Sequence, residues 1–228
     1  MFLSRLTLDA RNDQVRGDLS DVQRLHRRLM SAFPSDLGPQ ARAASALLFR
    51  QEAAGDEPVL LVQSSLLPDW TRLPSGWIAT PWDGSSGVTV RPLEPLLAQL
   101  VEGAELRFRL LVNPTRKVDT RSEGGVSRNG RRVPLRTEEA ALAWLARKGD
   151  AAGFTLTSSA TFPGRPDVLA TPLGRSEGRR EGGTVTVEGV LFEGRLRVCD
   201  AASLRAAVCA GIGPGKSYGF GLLSLMRA

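Results

Sequence analysis

The sequence predicts an α+β fold in two similar halves, and three observations carry the prediction. Its 228 residues suffice for two cores of about 100 residues each. A hydrophobic content of 42% beside 24% charged residues is that of an ordinary globular chain. Strand-like and helix-like apolar periodicities then alternate in the same order in both halves.

Residues 2–8 read as a strand, and a helix is expected from about 21 to 33, opened by a Ser20-x-x-Gln23 capping box and closed before Pro34. The apolar runs Ala46 to Phe49 and Val59 to Val62 read as strands on either side of the turn-rich Ala54 to Pro58. Residues 68–92, rich in Pro, Gly, Ser and Trp, read mostly as loop, and Leu93 to Val101 as a short helix. Leu106 to Val112 reads as a strand with an apolar face and an arginine face, able to close the first unit or open the second.

In the second half, residues 118–132 are expected to form a mobile basic loop. Thr137 then caps a helix that runs through Leu145 and ends at Gly149. Strands are expected at 154–162 and 184–192, split by a Gly/Arg-rich stretch from Gly174 to Gly183 that reads as disordered. A helix at 201–210 and a strand at 220–226 complete the chain. Two runs of β-α-β-β-α-β imply tandem ferredoxin-like (RRM-like) domains, residues 1–103 and 104–228, with helices on one face of each antiparallel sheet.

Charge is concentrated. The net is +6, and 27 of the 30 cations are Arg. From Arg107 to Arg136 nine cations face two anions, Asp119 and Glu123, so the whole excess lies in this window. Such a patch is an electrostatic footprint for phosphates, and a solvated loop is the bland alternative. Aromatics are few, 6%, which argues against a reader that stacks single-stranded bases and leaves backbone and shape for the arginines to read.

Cys199 and Cys209 are not in C-x-x-C spacing, and with a single His no zinc cluster can be built from Cys and His alone. No zinc site of that kind is therefore expected. Arg5 and Asp9 stand where a signal peptide needs its apolar core, and no stretch approaches about 18 apolar residues, so a reduced, cytoplasmic setting away from membranes is expected.

Ala210 to Ser217 nearly fits the G-x-x-x-x-G-K-[ST] phosphate loop, with Ala210 in the first glycine place. A nucleotide P-loop follows a strand and opens a helix, whereas here a helix-like segment precedes and a strand-like one follows, so no nucleotide partner is expected. Gly213, Gly215, Lys216 and Ser217 remain candidates for holding an RNA phosphate. A helix C-cap and tight turn is the structural alternative, and it accounts for Gly211.

The one histidine, His26, follows Gln23, Arg24 and Leu25 and precedes Arg27 and Arg28. An imidazole can move a proton near neutrality without special tuning. On a helical wheel Val22, Leu25, Leu29 and Phe33 form the apolar stripe, and His26 lies at its edge near Met30, so packing and catalysis are both open. Arg24 and Arg28 read as a solvated helix face, while Arg27 could reach a phosphate.

Several blocks carry a family resemblance: Met1 to Leu8, Leu25-His26, Ala32-Phe33-Pro34, Val62-Gln63-Ser64, Phe108-Arg109-Leu110, Asn113-Pro114-Thr115, Arg132-Val133-Pro134-Leu135, Ala143-Trp144-Leu145, and above all Gly211 to Leu223. With these the chain resembles, end to end, the CasE endoribonucleases of type I-E CRISPR systems. The resemblance implies tandem ferredoxin-like domains and metal-independent cleavage of precursor CRISPR RNA at the base of a repeat hairpin, with no metal and no cofactor. It also implies that the product stays bound and that the protein joins the other Cascade subunits.

The family's catalytic helix-1 histidine matches His26, and Arg131 and Arg132 sit where the family contacts the hairpin. Arg116, Lys117 and Arg136 share the basic window and are expected to bind RNA with them. Many relatives carry a tyrosine three residues before that histidine. Here the position is Gln23, a candidate auxiliary that cannot give a proton as a phenol does. The alternative reading is a non-catalytic scaffold that binds repeat RNA.

Overall fold

The computed structural model describes residues 1–35, 44–54, 57–80, 84–121, 127–180 and 183–228. The first sheet is built from β1 (Phe2–Thr7), β2 (Leu48–Ala54), β3 (Glu57–Ser64) and β4 (Val88–Pro92), in the order β2-β3-β1-β4 and antiparallel throughout. Helices α1 (Asp13–Leu19) and α2 (Val22–Met30) connect β1 to β2, and α3 (Glu94–Ala98) follows β4. The core holds Leu6, Leu25, Leu29, Phe33, Phe49, Leu60, Val62 and Trp77.

The second sheet has the order β11-β5-β10-β8, from β5 (Glu105–Val112), β8 (Phe154–Leu156), β10 (Gly183–Val198) and β11 (Leu223–Arg227). β9 (Val168–Arg180) continues along the edge of β10 that β8 begins. Helices α4 (Glu138–Ala151) and α5 (Ala201–Ala210) pack on it, and their Trp144, Leu145, Leu204 and Val208 meet Phe108, Leu110, Phe154 and Phe192 in a second core. In each sheet the first strand of the unit lies between its third and its last, the ferredoxin-like order, so the expected fold class stands.

Several expectations change. The segment read as loop over 68–92 ends in β4, whose Val88 and Val90 pack partly buried on the core. Ser20 is not the cap of the His26 helix. It ends α1, a separate helix capped by Asn12, and Asp21 caps α2 by accepting from the amides of Gln23 and Arg24. Asp21 won because a carboxylate takes two orphan amides at once and suits the positive end of the helix.

The strand at 106–112 opens the second unit, pairing with β10 and β11. Residues read as a basic loop form the hairpin of β6 (Thr115–Arg121) and β7 (Ser127–Pro134), with residues 122–126 outside the described ones. The Gly/Arg-rich stretch is likewise strand, β9 running to Arg180 and β10 starting at Gly183, paired Gly183 to Arg180. Residues 181 and 182 lie outside the described ones. Backbone hydrogen bonds along a long antiparallel pair override the weak strand propensity of Gly and Arg. Thr137 caps α4 as expected, but the helix passes Gly149, which packs under Phe154, and ends at Ala151.

Candidate active site and nucleic-acid interface

Strand periodicity on β2 splits its side chains between two jobs. Phe49 turns into the first core under α2, while Leu48, Arg50 and Glu52 turn toward the second unit. Leu25 and Leu29 anchor α2 in the same core, which leaves His26 half-buried at the stripe's edge. The His26 ring lies 6.4 Å from that of Phe49, with the planes 23° apart, and its Nδ1 is buried. The imidazole is thus supported from one side by a fixed aromatic ring.

The glycine-rich loop meets α2 from the second unit. Gly211 caps α5 with φ +75°, and Lys216–Tyr218 form a 3-10 turn between Gly215 and Gly219, both left-handed, before β11 begins. The helix lies before the loop and the strand after it, the reverse of a nucleotide P-loop. At Gly219, φ is +84° and an added Cβ would stand 3.1 Å from Phe49, so this glycine is what lets the turn close on the ring beneath His26. Gly213, also left-handed, packs as tightly on Trp144. Lys216 and Ser217 are half-buried in the turn.

The Gln23 side chain donates through Nε2 to the Tyr218 hydroxyl at 3.3 Å, joining residues 195 apart in sequence. Gln23 and His26, three residues apart on α2, share a helix face. The structure therefore brings together His26, Gln23 and the Lys216–Tyr218 turn. A cleft of about 900 Å³ borders this place, lined by Val22, Leu25, Phe49, Tyr218 and Phe220 among others, with His26 outside its lining.

The arginines sort by partner. Arg27 is exposed on α2. Arg24 is exposed as expected, 3.6 Å from one oxygen of the buried Asp18 carboxylate, whereas Arg28 is not a solvated residue, since its Nε donates to the other Asp18 oxygen at 2.7 Å. Trp77 Nε1 donates to Asp18 as well, at 3.1 Å. A buried carboxylate needs such cations, and helix spacing puts both within its reach.

Arg116, Lys117 and Arg132 are exposed on the β6–β7 hairpin, with Arg132 donating to Thr115 at 3.4 Å. The side chain of Arg131 lies outside the described part, as do those of Arg121 and Arg128. Arg136 forms a two-point bond to Glu188, which also takes Arg175, and the Arg136 hydrogen bond holds that carboxyl below its usual range. Arg109, counted in the basic window, is committed to Glu52 at 2.6 Å and Glu193 at 3.3 Å. Tyr218 and Phe49 were not among the site residues expected from sequence; the signals for Tyr218 were that it is the chain's one tyrosine and that it lies with Phe220 beside Lys216 in the glycine-rich block.

Among the described residues no helix is long and apolar enough to cross a membrane. The chain is 33% identical over 230 residues to the CRISPR-associated endoribonuclease Cse3 of Thermus thermophilus, covering 99% of both chains. It is 31% identical over 233 residues to the CRISPR system Cascade subunit CasE of Escherichia coli, covering 99% of this chain and 98% of that one. The solved structure of Cse3 bound to a 19-nucleotide RNA superposes with a TM-score of 0.78 at 33% identity, over all of both chains. The family model described as CRISPR associated protein matches residues 1–227, and the chain belongs to that family.

Proposed function

We propose that this chain is an endoribonuclease that binds the CRISPR repeat hairpin and cleaves precursor CRISPR RNA without a metal ion. The observation that carries the reading is His26, supported on Phe49 at the junction where α2 meets the glycine-rich turn of the other unit. It is strengthened by membership in a family with a relative named as an endoribonuclease. The two ferredoxin-like domains, divided at residues 103 and 104, would each supply one wall of the site.

The 2′-OH upstream of the scissile phosphate attacks phosphorus. The 2′-O–P bond forms as the P–O5′ bond breaks, leaving a 2′,3′-cyclic phosphate and a 5′-OH. Because the nucleophile belongs to the RNA, the protein supplies proton transfer, alignment and charge. His26 moves the proton, which is worth roughly 10² to 10⁴ in rate, about 3 to 5 kcal/mol. Lys216, Ser217 and the amides of Gly213 and Gly215 hold the phosphate backbone near the cut, while Arg27, Arg116, Lys117, Arg131, Arg132 and Arg136 track the hairpin. The product stays bound, and the chain joins the other Cascade subunits, as the name of its relative CasE states for that protein.

The test is cleavage of a CRISPR repeat hairpin RNA, in excess chelator. Wild type should yield cyclic-phosphate ends, His26→Ala should be slower by about 10² or more, and a 2′-deoxy at the cut should abolish the product. Tight binding by wild type with no cyclic phosphate would make the chain a repeat-RNA scaffold. Strict dependence on added metal would overturn the chemistry.

A further inference from the structure

We propose that Tyr218 is a catalytic residue of this reaction, its hydroxyl donating to a non-bridging oxygen of the scissile phosphate, with Gln23 the positioning residue that aims it. The inference rests on the endoribonuclease reading.

The aim follows from hydrogen-bond inventory. A phenolic oxygen has one proton and lone pairs, and an amide NH₂ can only donate. Gln23 Nε2 donates to Tyr218 Oη at 3.3 Å, so it occupies the acceptor side of the hydroxyl. The Tyr218 proton must then point away from Gln23. Tyr218 lines the cleft between α2 and the second unit, which gives a phosphate room to approach it.

The placement is fixed, not incidental. The Tyr218 amide donates to the Gly215 carbonyl at 2.8 Å, and Gly215 and Gly219 bracket the turn in left-handed conformations. Gly219 abuts Phe49, and Phe49 stacks on His26, so phenol and imidazole are referenced to one buried ring. Gln23 and His26 are three residues apart, about 4.5 Å along the helix axis. A phosphate lying along this face of α2 can meet the hydroxyl and the imidazole together.

As the 2′ oxygen attacks, negative charge grows on the non-bridging oxygens. The 2′-OH proton goes to a base and the 5′ oxygen leaves with a proton. Tyr218 keeps its own proton throughout and contributes a donor already oriented before reaction. One such donor is worth about 10² to 10³ in rate in a site that excludes water.

Single-turnover cleavage of the repeat hairpin by full-length Tyr218→Phe and Gln23→Leu tests this, beside binding of the 2′-deoxy hairpin. Tyr218→Phe should cleave about 10²-fold more slowly with binding within about twofold of wild type. Gln23→Leu should slow cleavage less, and the double variant should be no slower than Tyr218→Phe, since Gln23 acts through the hydroxyl.

Replacing each non-bridging oxygen by sulfur in turn should slow wild type unequally, and Tyr218→Phe should erase that difference. Wild-type cleavage by Tyr218→Phe while His26→Ala is inactive would overturn this inference alone. Rate and binding lost in parallel would overturn it too, marking Tyr218 as structural. A wild type that does not cleave would sink the endoribonuclease reading and this one with it.

Discussion

The Arg50 guanidinium, on β2, donates through Nη1 to the Leu222 carbonyl 2.9 Å away, just before β11 of the other unit. The same group reaches the Arg109 carbonyl at 3.1 Å and Ser224 Oγ at 2.8 Å, while Glu52 accepts from it at 2.6 Å. Arg50 is only 2% exposed, and burial lowers its pKa while Glu52 works to raise it. β2 therefore ties the units together with one face and supports His26 with the other.

Arg50→Met should reveal the coupling. It strands two carbonyls and leaves Glu52 paired to Arg109 alone, so about 3 kcal/mol of stability should go. The unfolding midpoint in urea measures this. Cleavage should fall further than the folded fraction explains, because the glycine-rich turn is no longer held against α2.

Asp18 is a second buried charge with a positional task. Its oxygens hold Arg28 and Trp77 and attract Arg24, which fixes the roll of α2 and hence the direction of His26. Asp18→Asn removes the charge that two arginines answer, and a loss of about 2 to 3 kcal/mol is expected in urea. The loss should persist at 0.5 M salt (~4 Å Debye length), since the carboxylate is buried.

Element type was legible where periodicity was strong, as in β1, β5 and α5, whose buried positions follow the strand and helix repeats, and in β3, a central strand buried on both faces that reads as a continuous apolar run. The β6–β7 hairpin and the Gly/Arg-rich part of the β9–β10 ribbon were not, because Gly and Arg are weak strand formers stabilised there by cross-strand pairing, and β4 was hidden, despite Val88, Thr89 and Val90, by its shortness and the Pro/Gly/Ser-rich run before it. His26 was legible as the lone imidazole. Tyr218 was not, because its partner Gln23 lies 195 residues away and only the packing of the two units brings them together. The role of Arg28 was misread for the same reason, and Arg109 was counted among the free cations of the basic window, their partners Asp18 and Glu52 being set by tertiary contact.

Ala46 has φ +47° and is the one non-glycine residue with positive φ among the described residues. A Cβ is penalised in that region by roughly 1 kcal/mol, against which the added chain entropy of glycine counts. Ala46→Gly should therefore stabilise by up to about 0.5 kcal/mol, with cleavage unchanged. A fall in the thermal midpoint would show that the surroundings hold the side chain favourably.

Salt dependence should separate cations that meet phosphates from cations committed elsewhere. Each phosphate contact adds about 0.7 to 0.9 to the slope of log affinity against log salt. Arg116, Lys117 and Arg132 are exposed on the hairpin, so changing all three to alanine should lower the slope by about 2 to 3. Arg109→Ala should leave the slope near wild type, because its guanidinium is held by Glu52 and Glu193. Both series are read by hairpin titration over about 50 to 400 mM salt with the 2′-deoxy RNA. An unchanged slope in the triple variant would move the RNA track off this hairpin and onto α2 and the glycine-rich turn.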